Sequence, residues 1–330
     1  MSRTITLLLL SVLSAMPFVA TACTTREGAE GPADAYQGND GKADGLEDGG
    51  TDATEASSDA AVIDPTQFAK LSLGSMHSCG IRHNGMLVCW GRATEGQTTV
   101  PTGDGWVDLD AGTYHTCALH SNGTIACWGE DALGQASPPS DSDFVSVSAG
   151  ESHSCARKAD GSLKCWGENF AGASTPPGGT GFTAVSAGAD FTCALKSNGS
   201  IECWGDNSDG QSTPPASGKF VQVTAGMVHA CALREDGTVL CWGNDELGQS
   251  TPTITVPATS ISTSESHVCA IGDDGSVACW GFNWFGGATA PAGTDFKNVS
   301  AGGGHSCALH TDGDISCWGN NLRGEATPPQ

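Results

Sequence analysis

The sequence predicts an all-β fold: a seven-bladed β-propeller of 38-residue repeats, with about three antiparallel strands per blade. Three observations carry that reading. Cys79, Cys117, Cys155, Cys193, Cys231, Cys269 and Cys307 recur at a strict period of 38 residues, and fixed self-similarity of this length marks a repeat architecture. A second set, Cys89, Cys127, Cys165, Cys203, Cys241, Cys279 and Cys317, follows ten residues behind, each member preceding a Trp-Gly. The chain also holds 46 Gly and 15 Pro, a composition suited to short strands and tight turns.

One unit shows how each element arises. In the third copy, Phe144-Val145-Ser146-Val147-Ser148-Ala149 alternates apolar and small residues, the period of a strand. Gly150 bends the chain, and His153-Ser154-Cys155-Ala156 forms a second strand. Asp160-Gly161 supplies a hairpin turn before a third strand, Ser162 to Trp166. A loop with Gly172 and Pro176-Pro177 returns to the next copy, leaving a fourth strand crowded. Such a sheet cannot bury its faces alone, so the copies must stack. Closure into a ring protects most strand edges, whereas an open solenoid needs caps that this sequence lacks.

The two cysteines of a copy flank the hairpin and face each other across it, close enough for a disulfide. The expected bridges are Cys79–Cys89, Cys117–Cys127, Cys155–Cys165, Cys193–Cys203, Cys231–Cys241, Cys269–Cys279 and Cys307–Cys317, with buried reduced thiols as the alternative. Each would contribute at most about 2 to 3 kcal/mol and pin strand register. His77, His115, His153, His229, His267 and His305 stand two places before the first cysteine, with Phe191 in the fourth copy. They read as packed histidines with one hydrogen-bond partner each, not as metal ligands. The repeated Trp reads as inter-blade core.

The pattern Ala111-Gly112-Thr113-Tyr114-His115-Thr116-Cys117-Ala118-Leu119, Asn122-Gly123, Cys127-Trp128-Gly129, Gly134-Gln135 resembles the repeats of the regulator of chromosome condensation. The short period is similar to the bacterial propeller-type β-lactamase inhibitory protein, and that resemblance implies seven three-stranded blades over residues 68–330. Copy six departs most: Ala258 replaces the leading aromatic and Thr263-Ser264 replaces Ala-Gly, so a looser first strand is expected there. The inhibitor often carries an aromatic before the repeated His. Of the equivalent residues here, Tyr114 alone is aromatic, which argues against β-lactamase inhibition.

Residues 1–22 read as a signal peptide, with Arg3, an apolar run from Ile5 to Leu13, and Ala20-Thr21-Ala22 as the cleavage site. Val19 to Cys23 resembles a bacterial lipoprotein box, which would acylate Cys23; ordinary cleavage would leave that thiol free. Residues 23–64 follow as an acidic tether without apolar periodicity, expected to be disordered. Asp40 to Gly45 lacks the ligand spacing of a calcium loop. The propeller is assigned to 65–330, and the protein is expected to be exported to the outer membrane or cell surface as a lipoprotein, or else to be periplasmic or secreted.

A formal charge of −23 opposes binding to phosphate backbones, so no nucleic-acid partner is expected. Neither a cofactor nor a metal is expected, and membrane contact is confined to the lipid anchor of a monomer. Positions that vary while the frame stays fixed are free to carry recognition. Leu133, Phe170, Leu247, Trp284, Phe285 and Leu322 fall in equivalent loops and, with Tyr114, are the candidate ligand-binding residues. The competing reading folds these side chains inward between blades, least readily for adjacent Trp284 and Phe285. The favoured function is a non-enzymatic surface module for an unknown protein of the envelope. A cell-wall or glycan binder and a hydrolase are the alternatives, the latter weakened because no Ser-His-Asp or paired-carboxylate set stands out.

Overall fold

The computed structural model describes residues 64–329; the signal peptide, Cys23 and most of the tether lie outside them. The described chain forms seven three-stranded antiparallel sheets in meander order. In the third blade the strands are Phe144–Ala149, His153–Lys158 and Leu163–Gly167. The first strands of all seven sheets surround a common axial cavity of about 320 Å³, so first, middle and third strands are inner, middle and outer. The fold is a seven-bladed propeller. No fourth strand forms; the return from outer strand to next blade is loop.

The hairpin geometry follows from the turn. Gly161 takes φ 82°, which a side chain rarely tolerates, and this sets Cys155 directly opposite Cys165. The same register recurs in every blade. All seven expected disulfides are present, with Cα–Cα separations of 4.0–4.1 Å.

Blades are joined by three rings of polar contacts. Around the axis, the last N–H of each inner strand would face no ladder partner. It donates instead to a side chain of the preceding blade: Ala111 to Ser72, Ala149 to Asp110, Ala187 to Ser148, Ala225 to Ser186, Thr263 to Thr224, Ala301 to Ser262 and Leu73 to Ser300, at 2.9–3.1 Å. Farther out, each Trp of the Trp-Gly pair donates its Nε1–H to a carbonyl of the preceding blade's loop. Trp128 bonds Gln97 and Trp166 bonds Gln135, and Trp90 bonds Glu325 to close the circle.

The third ring runs through the histidines. Ser154 donates to the Gln135 carbonyl at 3.0 Å, so it must accept from His115 Nε2–H at 2.8 Å. His153–Thr192, His267–Ser306 and His305–Ser78 repeat the arrangement, and His77 pairs with Thr116. Where Phe191 replaces histidine, the facing hydroxyl is replaced by Ala230. At the next seam the compensation fails: Val268 faces His229, and neither ring nitrogen of His229 has a partner. Five of the six histidines therefore have a hydrogen-bond partner across the seam, and His267 has a second in Ser264.

Copy six was expected to have a looser first strand, and it does not. Ala258–Thr263 pairs in the same register as its counterparts. The reason lies in a second substitution. Elsewhere a basic or imidazole side chain covers the leading aromatic, as Arg82 does Phe68 at 4.8 Å and Lys158 does Phe144 at 5.5 Å. Blade six has lost both members, with Gly272 opposite Ala258, and Val256 fills the space over Gly272.

Two predictions follow from the histidine ring. Val268→Thr gives His229 a hydroxyl partner at nearly constant volume and should stabilise the domain by about 1 kcal/mol in urea unfolding; a loss of stability would refute the assignment. Burial holds His77, His153, His229 and His267 down to about 4, and holds His115 and His305 to about 3 with help from neighbouring histidines. The unfolded chain takes up protons below pH 6.5 that the fold refuses. Stability should be level above pH 6.5 and fall as pH drops toward 4, each histidine withdrawing about 1.4 kcal/mol per unit. Melting temperatures across pH 4.5–8 check this.

Candidate loop-face binding site

Each outer strand ends in Gly with φ near 100°, such as Gly129 at 103°. A Cβ there would sit 2.5 Å from the Tyr114 carbonyl. The next N–H returns to the turn between inner and middle strands: Glu130 to the Tyr114 carbonyl, Phe282 to the Ser266 carbonyl. These bonds place the loop tips and the inner-to-middle turns at one end of every blade. That end is the loop face.

The tip itself is held from beneath. Asn283 donates to Thr289 and accepts from the Ala288 N–H, and Asn169, Asn207 and Asn321 repeat the staple. The Gln of the Gly-Gln pair is buried and accepts from the tip N–H, as Gln135 does from Leu133 and Gln249 from Leu247. Because Asn and Gln take the inward bonds, the tip side chains are left to face water. Blades three and six lack the Gln, having Ala173 and Gly287, and they carry the aromatic tips. In blade three the chain bends through Ala171 at φ 51°.

Every apolar tip is exposed rather than turned inward: Leu133 by 50%, Leu247 by 49%, Phe170 by 59% and Leu322 by 82%. The adjacent pair divides its roles. Trp284 is 81% exposed, whereas Phe285, at 53%, leans on the bare backbone of Gly304, where a Cβ would lie 3.2 Å from its ring. Phe282, which the spacing of the tips did not flag, completes the group. Its ring centroid is 6.3 Å from those of both Trp284 and Phe285, each in an edge-on arrangement. The signal was present: the other six copies have a charged or amide residue at the Phe282 position. Tyr114 shares this face but not the cluster; it is half-buried under the Arg92 guanidinium, 5.0 Å from the ring centroid.

Carboxylates crowd the centre of the same face. Burial raises the Glu151 carboxyl, and Asp190, Glu265, Glu168 and Glu130 raise it further. Asp190 is raised by burial and by Glu168 and Asp206. Among the described residues, this face carries two basic side chains, Arg92 and Arg323, and Arg92 is paired with Glu95 at 2.6 Å. No group of three or more His, Cys, Asp or Glu among the described residues is placed to share a metal ion. In the axial cavity, polar groups such as Asp110 are spent on the blade latches, and Asp108 pairs with Lys70.

The family described as "Regulator of chromosome condensation (RCC1) repeat" matches residues 106–135, 144–173, 182–211, 220–249 and 296–325. Five of the seven copies are regulator of chromosome condensation repeats. The two unmatched copies are the first and the sixth, the latter being the copy that has lost its aromatic and its Ala-Gly. No curated protein matches the sequence. Among solved structures, the CRINKLY WD40 ectodomain of the Arabidopsis thaliana receptor kinase ACR4 is similar at TM-score 0.67 and 26% identity, over 78% of this chain and 97% of that one. The ectodomain of the Physcomitrella patens receptor kinase CR4 gives 0.67 at 24% identity, over 77% and 73%. Human WBSCR16 gives 0.65 at 15%, over 74% and 88%. These likenesses show the fold.

The packing predicts unequal roles within the pair. Trp284→Ala should leave stability within about 0.5 kcal/mol, because the ring is mostly in water, and Phe285→Ala should cost about 1 kcal/mol, because it covers Gly304. Chemical unfolding of the two variants separates them; equal losses would refute the division.

Proposed function

We propose that this chain is an exported, lipid-anchored scaffold that binds a protein partner through the tips of its loop face. The observation that carries this reading is the set of exposed apolar tips, on loops stapled by Asn or Asp and, in most blades, propped by a buried Gln or Glu. Keeping large apolar side chains in water has no folding benefit, and exposed aromatics are the residues that dominate protein interfaces.

The compartment is consistent with this. Seven disulfides belong to an oxidising environment outside the cytoplasm. No helix among the described residues is long and apolar enough to cross a membrane. Attachment through acylated Cys23 rests on the lipoprotein-box resemblance of Val19 to Cys23. Two of the similar structures are ectodomains of receptor kinases, a setting in which such a propeller faces the outside of a cell.

The exposed Trp284 ring also suits a sugar platform, which sets the second arm of the test. The domain 65–330 and its Trp284→Ala/Phe285→Ala variant should fold alike, and only the former should retain a protein from native envelope extract. Retention on isolated cell-wall polymer with release by free sugar would favour the glycan reading, and equal behaviour of both proteins would overturn the loop-face assignment. Cys23→Ala should move the full chain from the membrane fraction to the soluble one.

A further inference from the structure

The partner's chemistry can be taken further, resting on the reading of the loop face as a protein-binding surface. From Asp64 to the end the chain has 27 acidic residues against 11 basic. The loop face takes more than its share of that imbalance. Most of the basic residues stand at the opposite end or on the strands, where Arg82, Lys158, Lys196 and Arg234 lie over Phe68, Phe144, Phe182 and Phe220. Of the two on the loop face, Arg92 is tied to Glu95 and stacked on Tyr114.

The aromatic cluster stands inside this negative field. Phe282 follows directly on the turn that holds Glu265, through its N–H bond to the Ser266 carbonyl at 2.9 Å. Glu246 precedes Leu247 on the neighbouring tip of blade five. Burial first, and then the neighbouring carboxylates, make Glu151 and Asp190 at the face centre hold their protons more tightly than usual.

We infer that the blade-six cluster of Phe282, Trp284 and Phe285 docks a cationic polypeptide segment carrying an apolar side chain. The apolar side chain of the segment covers Phe285 and the exposed edge of Phe282. Its Lys or Arg side chains lie over the free Trp284 ring, where the ring quadrupole attracts a cation, and toward Glu265 and the carboxylates at the face centre. Charge excludes the other occupants. The tether has eleven acidic residues between Thr24 and Asp64 against Arg26 and Lys42, so its charge has the same sign as this face. A second copy of the domain and an anionic bilayer carry the same sign.

The probe is a short synthetic peptide of Lys, Ser and Gly with two Leu anchors, titrated into the full mature chain and followed by Trp fluorescence and calorimetry. Two control peptides replace Lys by Glu, or Leu by Ser. The Lys/Leu peptide should bind at least about tenfold more tightly than either control, and should weaken about tenfold between about 0.05 M and 0.5 M salt. Trp284→Ala/Phe285→Ala should abolish the difference between peptides, and Glu265→Gln should weaken the Lys/Leu peptide while leaving the fold intact by circular dichroism. Equal or tighter binding of the Glu peptide, salt-independent binding, or no binding of any peptide overturns the inference. Self-association of the chain at these concentrations, or capture by phosphatidylglycerol vesicles, would overturn it as well. The loop-face reading fails separately, when an envelope protein is retained equally by the domain and the double variant. A partner that needs Trp284 and Phe285 but is indifferent to salt and to Glu265→Gln leaves that reading standing and removes this one.

Discussion

The inner edge of each blade is the constraint on which the rest of the molecule depends. Seven inner strands converge on one axis at an angle that prevents their pairing as a continuous sheet, yet each presents a buried N–H that must find an acceptor. A short hydroxyl on the preceding blade answers that need, and so Ser or Thr stands at this position in six copies and Asp110 in the seventh. The alternation of apolar and small residues that marks the strand in the sequence is thus also the pattern of a latch. Each blade serves the next through the same positions, so the circle closes with no exchanged strand: Leu73, Ser78 and Trp90 receive from blade seven what most blades receive from their predecessors.

Closure by small latches explains why the seams differ in quality without the ring opening. At the fourth seam Phe191 and Ala230 change together, exchanging a hydrogen bond for apolar contact at little net cost. At the fifth, Val268 has replaced the hydroxyl while His229 persists, leaving a buried polar ring unsatisfied. The axial latch from Thr263 to Thr224 and the Trp280 bond to the Gln249 carbonyl both remain there. One defect among three rings is tolerable because each contact is worth only about 1 kcal/mol and the disulfide within each blade keeps its register fixed.

Much of this was legible in the sequence because the fold repeats. Strand number, hairpin register and all seven disulfides follow from a 38-residue period and a ten-residue cysteine spacing. What escaped were pairings between distant positions. That His115 needs Ser154 spans two copies, and that Gly272 answers Ala258 spans two strands of one copy; both appear only when residues 14 to 39 places apart are laid across a seam or a sheet. Copy six looked frayed for this reason: the lost aromatic was evident, the compensating Gly272 and Val256 were not. The tips were legible as positions, since variation against a fixed frame marks them, but their direction was not. Whether Leu322 faces water depends on Asn321 and the buried Glu325 taking the inward bonds, which no hydropathy value encodes.

The distribution of departures bears on where the molecule meets its surroundings. A scaffold of equivalent blades can display a distinct surface only by breaking its own symmetry, and the breaks gather on blade six. There the leading aromatic, the Ala-Gly step, the facing hydroxyl and the propping Gln are all changed, and the tip has gained Phe282, Trp284 and Phe285. The frame compensates for the lost aromatic with Val256 below and offers the bare Gly304 above, while the lost hydroxyl leaves His229 without a partner, and the strands keep register as the tip changes character. Phe285 needs Gly304 of the next blade to lie flat, which ties the aromatic cluster to a glycine in another repeat. The contact joins the tip of blade six to the inner turn of blade seven. It makes the cluster a fitted part of the face, placed where the acidic surface leaves an apolar opening.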